Sequence, residues 1–205
     1  MEVLPNLCLY LTSVVVISLS GVMMPGPVFA VTVARGYKDR DAGVLVALGH
    51  GVVEFPIMFL IYLGLAQLLA SSFVRSTIGL VGGGMLVVMG LAMLRFKEDF
   101  PSRNPPTQYG SLAGGIVTTG ANPYFFLWWA TVGATLIMGS TAFGLIGFVL
   151  FAVTHWSCDL CWLLFVSTTV FKSKHLWSHK THRRVFGACA LLLIGFGAWF
   201  IFSAL

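Results

Sequence analysis

The sequence predicts an all-α membrane protein: six transmembrane helices forming two inverted three-helix repeats, with the first and fourth helices broken. Three observations lead there. The 205 residues are 58% hydrophobic and 9% charged, which leaves a soluble fold too few charges to face water. Uncharged runs from Val3 to Ala34 and from Asn104 to Cys158 far exceed the ~20 residues that cross a bilayer as a helix. Residues of functional type recur at one fixed offset between the two halves, the mark of an internal repeat.

The spans fall at about Leu7–Ala34, Ala42–Leu69, Thr77–Leu94, Ser111–Met138, Thr141–Phe171 and Val185–Leu205. Alternating segments of ~10 residues, which a β-barrel needs, are absent from the sequence. All but Arg75 of the 12 basic residues lie in the first, third and fifth connections, and the positive-inside rule makes those cytoplasmic. Both termini then face outward from the cytoplasmic membrane. The net charge of +5 is accounted for by orientation, so the partners are the lipid bilayer and a small molecule, with no nucleic acid. The N-terminus "MEVLPN" has no basic n-region and no cleavage site follows it, so the first span is expected to remain. Cys158 and Cys161 sit in an apolar span and read as small packing residues.

The polar, proline-rich stretch "RFKEDFPSRNPPTQYG" divides the chain. Residues 1–97 form the first three-helix repeat, 98–110 a cytoplasmic linker, and 111–205 the second repeat. His50/His155, Glu54/Asp159, Gly82/Gly187 and Gly90/Gly195 share a spacing of 105, while Pro27 and Pro123 are 96 apart. Three spans per half force the second copy to enter the membrane from the opposite side, which is the plan of many secondary transporters.

Pro25-Gly26-Pro27 and Ala121-Asn122-Pro123 interrupt the first and fourth spans. Lipid cannot satisfy the backbone groups such breaks release, so they are expected to face protein or a water-filled cavity. There the freed carbonyls can hold a cation, and each following half-helix presents a positive dipole end to a carboxylate. Pro25, Gly26, Pro27, Asn122, Pro123 and Tyr124 are therefore the substrate-binding candidates. His50 and Glu54, four apart, share a helix face, as do His155 and Asp159. Ionisable groups at membrane depth are costly unless they pair, titrate or line a cavity, so these four are the proton-coupling or ion-binding candidates. Joined by Cys158, they are also a candidate mixed-ligand metal site. Tyr124, Phe125, Phe126, Trp128 and Trp129 could wall a substrate ammonium or simply pack. His175, His179 and His182, in the basic fifth connection, read as a surface segment touching anionic lipid.

"PGP" in the first span, "RGYKDRDAGVLVALGHGVVE" leading into the second, "LVVMGLAMLR" closing the third and "NP" in the fourth resemble the LysE/RhtB family of amino-acid exporters over nearly the whole chain. The resemblance implies a small, six-span translocator that moves amino acids or related metabolites outward on the proton or ion gradient. It implicates Pro25, Gly26, Pro27, Glu54, Asn122 and Pro123. The chain departs from the family at Tyr124 and at the His155–Asp159 pair. The reading is thus a secondary exporter of an amino acid or similar zwitterion, with no cofactor and no enzymatic activity. The alternative is a divalent-cation transporter using the paired His and acid residues. An intramembrane enzyme fits worse, because one active site needs no symmetry. Whether one chain acts alone or as a homo-oligomer stays open.

Overall fold

The computed structural model describes residues 3–65, 72–95 and 108–205. Lys97, Arg103 and most of the expected 98–110 linker lie outside them. The described residues are helical, with no strand among them. In chain order they form α1 (Val3–Val22), α2 (Pro27–Gly36), α3 (Ala42–Tyr62), α4 (Ser72–Arg95), α5 (Gln108–Gly120), α6 (Pro123–Trp128), a π-helical turn (Trp129–Gly133), α7 (Ala134–Thr141), α8 (Gly144–Ser173), a 3-10 turn (Lys174–Leu176) and α9 (His179–Ala204).

Four helices, α3, α4, α8 and α9, are each long and apolar enough to cross a membrane, and α1 with α2 makes a fifth span if the 78° bend between them counts as one crossing. The run expected as a single fourth span, Ser111–Met138, is divided among α5, α6, the π turn and α7. Pro123 is the first reason, since it has no amide to continue α5 and instead starts α6. Pro27 likewise occupies the first turn of α2, where its missing donor costs nothing. Breaking the chain just ahead of these prolines avoids the penalty they would impose inside a helix. Gly64, at φ +89°, closes α3 in a left-handed turn that glycine favours.

Glycines bring the helices together. The most extensive interface joins α4 to α9, where Gly83 and Gly197 face each other so closely that a Cβ on either would lie 2.6 Å from the other's carbonyl oxygen. Gly79 and Gly90 extend the seam toward Phe200 and Ala190, as small residues do where apolar solvent gives helices little reason to associate. Gly49 and Gly115 allow α3 to lie on α5, and Gly36 and Gly43 admit the α8 backbone around Leu163 and Ser167. The repeat spacing does not carry over to every glycine. Gly82 backs onto Ala121 and Gly90 onto α9, whereas a Cβ at Gly187 or Gly195 would meet nothing within 4 Å. Side chains such as Leu9, Val16, Val88, Ile146, Leu191 and Phe202 are exposed around the outside, an apolar perimeter suited to lipid. The chain is a multi-pass helical membrane protein.

Candidate functional site

Where α3 crosses α8, the two i, i+4 pairs converge. His50 and Glu54 of α3 and His155 and Asp159 of α8 are all buried, with relative exposures of 8%, 1%, 3% and 6%. Glu54 is the hub: its Oε1 lies 3.1 Å from His50 Nε2 and 3.2 Å from His155 Nε2. Asp159 stands further off, Oδ1 at 3.7 Å from His50 and Oδ2 at 3.5 Å from His155. Among the described residues Glu54 Oε2 and Asp159 Oδ2 are buried without a hydrogen-bond partner, a cost that calls for an explanation such as a functional role or a bound ion or water.

The other ring nitrogens reach the broken helices. Ser18 Oγ of α1 is 2.7 Å from His155 Nδ1, and Thr119 Oγ1 of α5 is 2.8 Å from His50 Nδ1. With Glu54 ionised, both Nε2–H groups donate to it, so each neutral ring accepts the hydroxyl proton at Nδ1. A ring that gains a proton at Nδ1 donates to that hydroxyl instead. A hydroxyl serves either protonation state without moving its oxygen. Both residues escape a reading of the sequence for ionisable groups. Their only signal is a hydroxyl one or two turns ahead of a helix break. Aromatic rings enclose the cluster: Phe125 meets His50 edge-on at 5.4 Å, while Trp129 and Trp128 lie 5.0 and 5.3 Å from His155.

A cavity of about 170 Å³ opens beside this cluster, and its lining includes Pro25, Gly26, Pro27, Asn122 and Tyr124 together with all four ionisable residues. Nearly every residue singled out from the sequence thus meets in one place. Pro123 starts α6 without lining the cavity. Cys158, also outside the lining, turns its sulfur back to the Thr154 carbonyl at 3.4 Å. His50, Glu54 and Asp159 each offer a ligand atom, all within 4.8 Å of one another, so the spacing would admit a divalent cation. Phe126 packs on the core around Trp129 and is not in the lining. His175 lies in the 3-10 turn, His179 begins α9, and the His182 ring stacks on Phe186 at 4.2 Å.

The two breaks differ in detail. At the first, Gly26 caps α2 without a side chain. Ala30 is the first residue to bond back to the cap, at 2.9 Å to the Gly26 carbonyl; the amides of Val28 and Phe29, two residues of the cavity lining, have no partner among the described residues. At the second, Asn122 accepts from the Tyr124 amide at 3.1 Å, so that α6 is capped from within.

A polytopic helical protein with a buried His/carboxylate cluster beside two helix breaks has the architecture of a membrane transport protein. The chain belongs to the family of LysE type translocators, which matches residues 19–204. It is also 26% identical over 194 residues, covering 92% of this chain and 93% of the relative, to a Bacillus subtilis (strain 168) protein named "Putative amino acid efflux protein YcgF". No solved structure matches it.

Proposed function

We propose that this protein exports an amino acid, or a closely related small zwitterion, across the cytoplasmic membrane as a proton-coupled secondary transporter. The observation that carries the reading is the convergence of four buried ionisable side chains and both helix breaks on one cavity. Family membership and the efflux function named for the Bacillus relative point to the cargo. A two-repeat architecture is supported by the packing. α3 meets α8 and α4 meets α9, while α1 and α2 lie on α8 much as α5 and α7 lie on α3. Counting α5–α7 as one interrupted crossing then gives six spans, with both termini outside by the positive-inside rule.

In this mechanism the cluster holds a proton or a substrate ammonium, and exchange of one for the other couples export to proton entry. Two rings sharing one carboxylate oxygen give a proton at least two resting places. Asp159, without a short hydrogen bond, is the acid best placed to release or accept one. The test is counterflow in proteoliposomes with a panel of labelled amino acids and divalent metals, each with and without an imposed pH gradient. Amino-acid exchange that accelerates when the side receiving substrate is made acidic is the expected result. Metal uptake without amino-acid exchange would reverse the order of readings in favour of cation transport, for which the carboxylates and imidazoles would serve as ligands.

A further inference from the structure

The cavity is divided chemically. All acidic and basic residues among its described lining belong to the single His50–Glu54–His155–Asp159 cluster. Beyond it, apart from Ser18 and Asn122, the wall is mostly aromatic and apolar: Phe29, Tyr124, Trp128, Phe196 and Trp199 contribute rings, and Met24 and Tyr124 are half-exposed. Trp128 is fixed between neighbours, its indole over Gly21, where a Cβ would lie 3.1 Å from Nε1, and tilted on the His155 ring. In the same lining, at the start of the ten-residue α2, lie Val28 and Phe29, whose amides have no partner among the described residues. Two buried carboxylate oxygens there, Glu54 Oε2 and Asp159 Oδ2, also lack hydrogen-bond partners among the described residues.

From these we infer that the exported amino acid has a bulky uncharged side chain and is gripped at three points. Its ammonium donates to the free oxygens of Glu54 and Asp159, its carboxylate accepts from the amides of Val28 and Phe29, and its side chain lies against the Trp128 wall. Resting on the export reading above, this assigns substrate class and polarity within it. The polar ends are satisfied by groups that lack a hydrogen bond among the described residues, which is what makes an amide and a carboxylate oxygen without one tolerable in one cavity. A lysine or glutamate side chain would carry a charge into a wall holding no charge to pair it, and ring faces offset only part of its lost hydration. Leucine, methionine and phenylalanine bring apolar surface instead.

The experiment is competition for counterflow in proteoliposomes of the full chain. Leucine, methionine or phenylalanine is expected to compete at least about tenfold better than alanine, lysine or glutamate, the discrimination an apolar pocket gives for a few methylenes. Leucine methyl ester and 4-methylpentanoate, each lacking one charged end, should lose most of that affinity. Trp128→Ala should narrow the leucine-to-alanine ratio, and circular dichroism with a melting curve verifies that this variant folds. Lysine competing as well as leucine would overturn the substrate class with the export reading intact. Undiminished competition by the ester or the des-amino acid would overturn the assigned polarity. If no amino acid exchanges at all, the export reading itself falls.

Discussion

The breaks after α1 and after α5 meet the same backbone problem in opposite ways. Met23–Gly26 bends the chain by 78° between flanking helices, and its glycine cap offers nothing to the amides behind it. Ala121–Asn122 is shorter, and Asn122 supplies the missing acceptor itself. The ionisable cluster between them is closely two-fold in plan, each imidazole bonded to Glu54 on one side and to a hydroxyl from a broken helix on the other. The charge-handling centre is thus alike on its two sides while the breaks differ. One starts its helix with no side-chain cap; the other is capped by its own Asn122.

The largest expected effect tests what the halves share. Glu54→Gln removes the negative charge on which both imidazoles converge and should reduce initial transport rates in liposomes at least about a hundredfold. Asp159→Asn should leave exchange measurable but abolish its response to a pH gradient. Equal damage from both, or normal coupling in Asp159→Asn, would show that the two acids are not differentiated as their geometry indicates.

Next come the prolines. Replacing Pro25 and Pro27 together with alanine should let α1 and α2 close their own hydrogen bonds, raising the melting midpoint while transport collapses. Pro123→Ala should be milder, because the Asn122 cap can still define the start of α6. Lower stability with near-normal rates in the double variant would make the first break a packing kink and erase the contrast.

A sharper probe moves the cap. Gly26 has extended backbone at φ −159°, and a Cβ there would meet only the Met24 carbonyl, 3.9 Å away, so Gly26→Ser fits. Its hydroxyl would cap the amides assigned to the substrate, raising KM about tenfold while adding a few tenths of a kcal/mol of stability. The reciprocal Asn122→Ala should cost about 1 kcal/mol, or about 2–4 °C in melting midpoint, and spare KM. An unchanged KM in Gly26→Ser would remove the first break from substrate recognition.

The smallest effect concerns the hydroxyls. Ser18→Ala and Thr119→Val each remove one hydrogen bond worth about 1 kcal/mol, and should slow coupled transport about fivefold and displace its pH profile. Profiles identical to wild type would leave these hydroxyls with packing alone.

Much of this site is legible in the sequence because membrane depth makes charge conspicuous: His50, Glu54, His155 and Asp159 stand out, and their spacing puts each pair on one helix face. Their convergence needed the relation between halves. Ser18 and Thr119 were hidden because hydroxyls in apolar helices commonly bond back to their own turn, as Thr12 does to Cys8, Thr32 to Val28 and Thr118 to Gly114. Nothing local distinguishes Thr119 from Thr118. The glycine correspondences misled for a related reason, since a glycine's role depends on the helix it faces rather than on the register it occupies. Division of the fourth span was only half visible: Pro123 announces the first interruption, but the second depends on where Trp129 lodges in the tertiary core.

That second interruption holds a spare residue. A π-helical turn accommodates one residue more than the regular helix over the same length, so deleting one residue from Trp129–Gly133 would close the turn as regular α-helix and leave the segments on either side in phase. The same deletion within a regular helix would turn one side by about 100° relative to the other. Downstream, α7 is anchored by Tyr10, whose hydroxyl donates to the Leu136 carbonyl at 2.6 Å; upstream, α6 carries Tyr124 and Trp128 to the cavity. The turn between them is thus a place where the chain can lose a residue without re-aiming either side, a tolerance that the regular helices around it lack.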